Sequence, residues 1–136
     1  MTAKPGEIGE ENTLMFIQEP SGGPWSGIPV SSLDGYPHAG LDEGVLVQAV
    51  GMVTETQYGD SSVTQLILSP EDGALSVLDR GEGIQPAILQ TGDLPETDPM
   101  VSEHWESVLV KFVEPEIVNV DVGDGDWLVD DGSGTV

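Results

Sequence analysis

An all-β barrel or sandwich is the fold class this sequence predicts, and three observations predict it. The apolar stretches are short, turns bearing glycine and proline punctuate them, and helical periodicity is nearly absent. Eighteen glycines and ten prolines in 136 residues supply the turns, since glycine opens positive φ while proline fixes φ and removes a donor. At most short helical turns are expected.

Taken in order, residues 1–12 are polar and aperiodic and read as a flexible arm ahead of a single domain over 13–136. TLMFIQE (13–19) reads as a strand, PSGGP (20–24) as a turn, and WSGIPVS (25–31) as the returning strand, with Pro29 marking an edge or bulge. A loop over 32–44 follows. VLVQAVGMVTETQ (45–57) is the clearest long strand: Val45, Val47, Ala49, Gly51, Val53 and Glu55 share one face, and Gly51 predicts a bulge or sharp bend. YGDSS (58–62) makes a hairpin turn into VTQLILS (63–69). Residues 70–86 fit a short helix or a strand around ALSVLDR, and 96–107 admits a helical turn. VLVKFVEPEIVNV (108–120) is a second long strand, broken near Pro115, and DWLVDD (126–131) is the last.

Charge sets bounds on partners. Twenty-five acidic residues stand against Lys4, Arg80 and Lys111, a formal net charge of −22. Phosphate contacts need cations, so nucleic acid and anionic membranes are disfavoured partners. The same excess destabilises the compact state through self-repulsion unless salt or divalent cations screen it. A halophilic or simply acidic surface and a calcium-rich setting both fit. Apolar segments recur between the acids, and 38% hydrophobic content favours folding over disorder. There are no cysteines, and no apolar run approaches the roughly 20 residues that span a bilayer. The start MTAKPGEIGEEN shows no signal peptide.

The chain echoes itself twice. Ile17-Gln18-Glu19-Pro20-Ser21-Gly22 lies over Val129-Asp130-Asp131-Gly132-Ser133-Gly134, and Val45–Val50 lies over Val108–Val113. Together the pairs describe a strand-turn-strand unit used more than once. FIQEPSGGPWSGIPV, GVLVQAVGMVTET and WESVLVKFVEPEIVN…GDGDWLVDDGSG resemble the OB-fold domains that stand beside catalytic domains in secreted bacterial nucleases and in other multi-domain extracellular bacterial proteins. The likeness covers roughly residues 13–136. It rests chiefly on the turn Glu19 to Ile28 and the ending Trp127 to Gly134.

That resemblance implies an OB-like Greek-key barrel, apparently permuted. Family members carry a long strand ahead of the FIQEPSG-like strand, whereas here the comparable segment, Ser107 to Val120, arrives late. It either folds back to close its own barrel or is donated to a neighbouring copy by strand addition. The implied function is that of a non-catalytic scaffold or interaction module, extracellular or at the cell surface. Its expected partners are copies of itself or neighbouring domains of a larger chain. An accessory nucleic-acid-binding domain of a secreted nuclease is the alternative.

Candidate sites are few. In NVDVGDGDW (119–127), Asp121, Asp124 and Asp126 crowd one glycine-containing turn, which suits a calcium ion with its six to eight oxygen ligands. The spacing departs from the EF-hand loop, since Gly123 takes a ligand position and no glutamate closes it, and an ordinary hairpin turn uses the same residues. Asp130 and Asp131 either support such a site or simply make a turn. His38 and His104 read as surface residues, too few for zinc. GDSSVTQ lacks the nucleophile-elbow pattern, so no serine chemistry is indicated and no enzyme is expected. Trp25, Trp105, Trp127, Tyr36 and Tyr58 suit barrel packing better than base stacking, because no cations accompany them.

Overall fold

The computed structural model describes residues 1–2, 14–32, 41–58, 61–71, 73–81, 83–95, 98–123 and 126–136. It is predominantly β. The strands are β1 (Leu14–Gln18), β2 (Gly27–Ser32), β3 (Val45–Val50), β4 (Met52–Tyr58), β5 (Ser61–Leu68), β6 (Ala74–Arg80), β7 (Ala87–Leu89), β8 (Val110–Phe112), β9 (Glu116–Asn119) and β10 (Leu128–Asp130). One turn of α-helix, α1 (Pro99–Ser102), and two 3₁₀ turns (Thr91–Asp93 and Glu103–Trp105) complete the described elements. The ambiguous stretch around ALSVLDR is strand, and the helical turn expected within 96–107 is present.

The described strands form four sheets. The largest sheet runs β1-β2-β5-β4, and β3 pairs with β6, β7 with β8, and β9 with β10. In the large sheet β1–β2 and β4–β5 are antiparallel, whereas β2–β5 is parallel. The segments 45–58 and 61–80 form one long bent hairpin. Its register places Met52 opposite Ile67 and Val50 opposite Ala74. The one residue between on the first strand, Gly51, therefore faces residues 68–73 on the second, and the ribbon turns there. A side chain at 51 would put its Cβ 2.4 Å from the Ile67 carbonyl oxygen, so glycine is required by close approach.

The core lies against one face of these strands. Met15, Val30, Leu41, Leu68, Leu75 and Met1 form the buried cluster, with Ile17, Ile28, Val47, Ala49 and Leu66 packed on it. Cross-strand register explains the membership: Met15 faces Val30, Val30 faces Leu66, and Ala49 faces Leu75, so one apolar face runs across both ladders. The same register puts Val53 beside Leu66 and Val77 beside Val47. Yet Val53 is 62% and Val77 44% exposed, so the apolar face continues past what covers it.

Of the expected arm, Met1 and Thr2 are described, and both are held. The Met1 amino group donates to the Val45 carbonyl at 3.0 Å and the Met1 carbonyl accepts from Gly44 N at 3.0 Å. Thr2 N donates to the Phe16 carbonyl at 3.0 Å. Two residues of extended chain thus bridge the outer edges of β3 and β1.

The late segment, broken around Pro115 as its sequence predicts, enters neither of these ladders. It divides into β8, parallel to β7, and β9, antiparallel to β10. No described residue beyond Val108 is buried. Gly51→Ala is expected to cost about 1–3 kcal/mol, the range for a side chain forced into a filled space, read as a lower midpoint in urea unfolding at unchanged m-value.

Candidate functional site

The acidic turn singled out by its sequence joins β9 to β10. Asp121 and Asp126 are exposed on it, and Asp124 lies outside the described residues. The turn is held by backbone bonds, Asp126 N to Gly123 O at 2.9 Å and Val122 N to Asp126 O at 3.3 Å, and the Asn119 side chain accepts from Asp121 N at 3.1 Å. Gly123 adopts φ 121°, a region that glycine enters without strain. Among the described residues, no three His, Cys, Asp or Glu side chains converge as a metal site would require.

The carboxylates of the VDDGSG ending are committed to structure. The Thr91 side chain, fully buried, donates to Asp131 Oδ1 at 2.9 Å and accepts from Asp131 N at 3.0 Å, while Thr91 N reaches Asp131 Oδ2 at 3.2 Å. Ser133 Oγ donates to Asp131 Oδ1 at 2.5 Å and accepts from Gly92 N at 2.9 Å. Asp130 Oδ1 accepts from Gly132 N and Gly134 N at 2.7 and 3.2 Å. The Ser133 hydroxyl and then the Thr91 hydroxyl, with both backbone amides, hold the Asp131 carboxyl below the usual aspartate range against the opposing effect of desolvation. These bonds clasp the 3₁₀ turn at Thr91 to the end of β10. Sequence reading noticed Asp130 and Asp131 but missed Thr91, whose role depends on a partner 40 residues away.

Beside the clasp lies a cavity of about 330 Å³ lined by Glu114, Glu116, Val118, Asp130, Asp131 and Gly132. Its chemistry is anionic, which repels nucleotides, carboxylates and other anions. Asp131 gives both carboxylate oxygens and Asp130 its Oδ1 to the bonds above, and Glu114 and Glu116 supply the other carboxylates of the lining.

A second contact seats the segment from His104 to Leu109 on the β1–β2 hairpin. Trp25 N donates to the His104 carbonyl at 2.7 Å, and their rings lie 4.7 Å apart, tilted by 46°. Leu109 N donates to Gln18 Oε1 at 2.9 Å, and a Cβ on Gly27 would fall 2.1 Å from the Ser107 carbonyl oxygen. Trp25 and Ser107 both take positive φ, 64° and 60°, so the approach is made at some backbone cost. Gln18 is buried, and its Nε2 has no acceptor among the described residues. Gln18 at the end of β1 and Asp131 just after β10 each take an N–H from a remote segment. They are not equivalent in the first echo, where Gln18 lies over Asp130, whose Oδ1 accepts the nearby Gly132 and Gly134 amides.

The aromatic residues do not fill barrel ends. Trp25 is 66% and Trp127 61% exposed, which corrects the packing expected for both, while Trp105 is half-buried. Trp25 projects from the tight turn between β1 and β2, with the His104 ring beside it. His104 is exposed, whereas His38 and Tyr36 lie outside the described residues.

Glu106 sits on the same docked segment. Burial first, then the charge of Glu103, raise its carboxyl above the ordinary glutamate value; a backbone hydrogen bond from Thr64 pulls the other way, and Glu55 adds a smaller upward push. A raised acid in the folded state is a liability at neutral pH that fades as pH falls through the raised value toward 4.5. Glu106→Gln should raise Tm at pH 7 by about 1–3 °C, with the difference from wild type vanishing below the unfolded glutamate value. Thr91→Val, which keeps the shape and removes the hydroxyl, should cost about 1–2 kcal/mol and speed amide exchange at Gly92 and Ser133.

Compared with the known protein families, with curated proteins and with solved structures, the chain finds no match.

Proposed function

We propose that this chain is a non-catalytic, OB-like module that serves as a scaffold or interaction unit of an extracellular protein. The observation that carries the reading is a sheet whose two outer strands pair with no further strand among the described residues. In the order β1-β2-β5-β4 the outermost strands are β1 and β4, and the Met1–Thr2 bridge shows that the edges of β1 and β3 approach within reach of a two-residue link. One added strand between them would make the five-stranded, partly open barrel of an OB fold. Free edges of this kind take up extended chain through backbone hydrogen bonds, which is interaction chemistry rather than bond-making chemistry.

The net charge of −22 supports an extracellular or salt-rich setting, where cations screen it. Calcium is the cation the Asp121–Asp126 turn would take, with carboxylates from Asp121, Asp124 and Asp126. One observation favours the second reading, an accessory nucleic-acid-binding domain: Trp25 and Trp127 are exposed, as stacking platforms are. The charge weighs against it, because the three cations of the chain are dispersed.

Fluorescence anisotropy with labelled single-stranded DNA, with and without calcium, decides between them. The scaffold reading expects no binding in either condition. Binding that Trp25→Ala and Trp127→Ala weaken by tenfold or more (about 1–3 kcal/mol per stacked base) would replace it with the nucleic-acid reading.

A further inference from the structure

Among the described residues, no strand pairs with the outer edge of β3–β4. Both strands pair on their other side, β3 with β6 and β4 with β5. Among the described residues, the partner on the open side is the Met1 bridge at the start of β3, at Val45 and Gly44. That bridge identifies the kind of occupant the edge takes, namely extended backbone. Beyond it, Val50, Met52 and Val53 are exposed, Met52 by 65%. Val53 also belongs by register to the core-facing side, so a strand laid on this edge would extend the core as well as the ladder.

The same chain carries a strand suited to the place. All four residues of β9 are exposed, its one ladder partner is β10, and Ile117, Val118 and the following Val120 present apolar side chains to solvent. The acceptor edge is nearly free of charge in a strongly acidic chain, with Glu55 the one charged residue of β3 and β4, while β9 carries Glu116 ahead of its apolar Ile117 and Val118. β9 makes its contacts with β10 and is not seated on β3 or β4 of its own chain.

We infer that the free edge of β3–β4 accepts β9 of a second copy of this chain, joining copies head to tail. The inference rests on the scaffold reading and names its partner and its two surfaces. Because donor and acceptor are different surfaces, the contact is heterologous, and it generates a ring or an open filament rather than a closed pair. The charge of −22 on each copy makes the union depend on screening. At about 10 mM salt the Debye length of about 30 Å leaves the copies repelling each other, and at about 1 M it shrinks to about 3 Å.

Light scattering on the purified chain at both salt concentrations tests this. The expected result is a monomer of 14.3 kDa at low salt and assemblies of several chains or more at high salt. Met52→Lys disables the acceptor edge and Ile117→Lys disables the donor; each alone should remain monomeric at high salt with an unchanged circular dichroism spectrum. Mixed in equal amounts, they should form one species of twice the single-chain mass, since one live donor meets one live acceptor and nothing remains to extend the chain. Val53→Lys and Val118→Lys provide a second pair should either first variant misfold. A wild-type monomer at both salts overturns the inference. So does assembly that the single variants leave intact, which would move the contact elsewhere while keeping the scaffold reading. Single-stranded DNA binding by a persistent monomer would remove both.

Discussion

The apolar core depends on how the gap between β1 and β3 is closed. A strand edge exposes backbone N–H and C=O groups at regular spacing, and beside a buried face those groups need partners. Here Met1 and Thr2 supply them with three backbone bonds, and the Met1 side chain enters the core beside Met15 and Leu41. The closure brings a cost with it. The Met1 amino group is a cation held near an apolar cluster, and burial lowers its affinity for a proton below the ordinary terminal value. A peptide N–H from a longer strand would make the same hydrogen bond without the charge.

That one closure also explains the uneven distribution of burial. Every member of the buried cluster lies at or before Leu75, on strands that the large sheet or the β3–β6 ladder holds together. The later strands occur in two-stranded ladders, β7–β8 and β9–β10, and such pairs gain little by themselves. They are fastened instead by polar clasps: Gln18 to Leu109, Trp25 to His104, and the Thr91–Asp131–Ser133 cluster. Hydrogen bonds of this kind are worth about 1 kcal/mol each when net solvation is counted. The second half is therefore positioned by a few specific contacts rather than by a core.

The local code was legible in the residues and the long-range code was not. Alternation and turn chemistry located β1 through β5, the break near Pro115, and the bend at Gly51, because each depends on neighbours within a few positions. The face assignment of Val45, Val47, Ala49 and Val53 agrees with the register. What escaped was set by distant partners. Thr91 has no local signal, yet it is fully buried because Asp131 meets it across 40 residues. Trp25 and Trp127 look like core residues by composition and are exposed, Trp25 at the tip of the β1–β2 turn. The division of 108–120 between two ladders followed from which edges were free, and a pattern of valines carries no record of that. The Asp-rich turn was legible as a turn, since glycine and aspartate chemistry is local.

The acidity and the open edges belong to one design. An unpaired apolar strand invites indiscriminate pairing, and natural proteins counter this with charge. In this chain the charge is kept off the β3–β4 edge: β3 has none and β4 one glutamate in seven residues. It is placed elsewhere instead, on a molecule that repels its copies at long range. Long-range repulsion falls steeply with ionic strength, whereas burial of valine and methionine side chains does not. Under the head-to-tail contact proposed above, the balance between the two would be set by the solvent, with the edges solvated at low salt and paired at high salt.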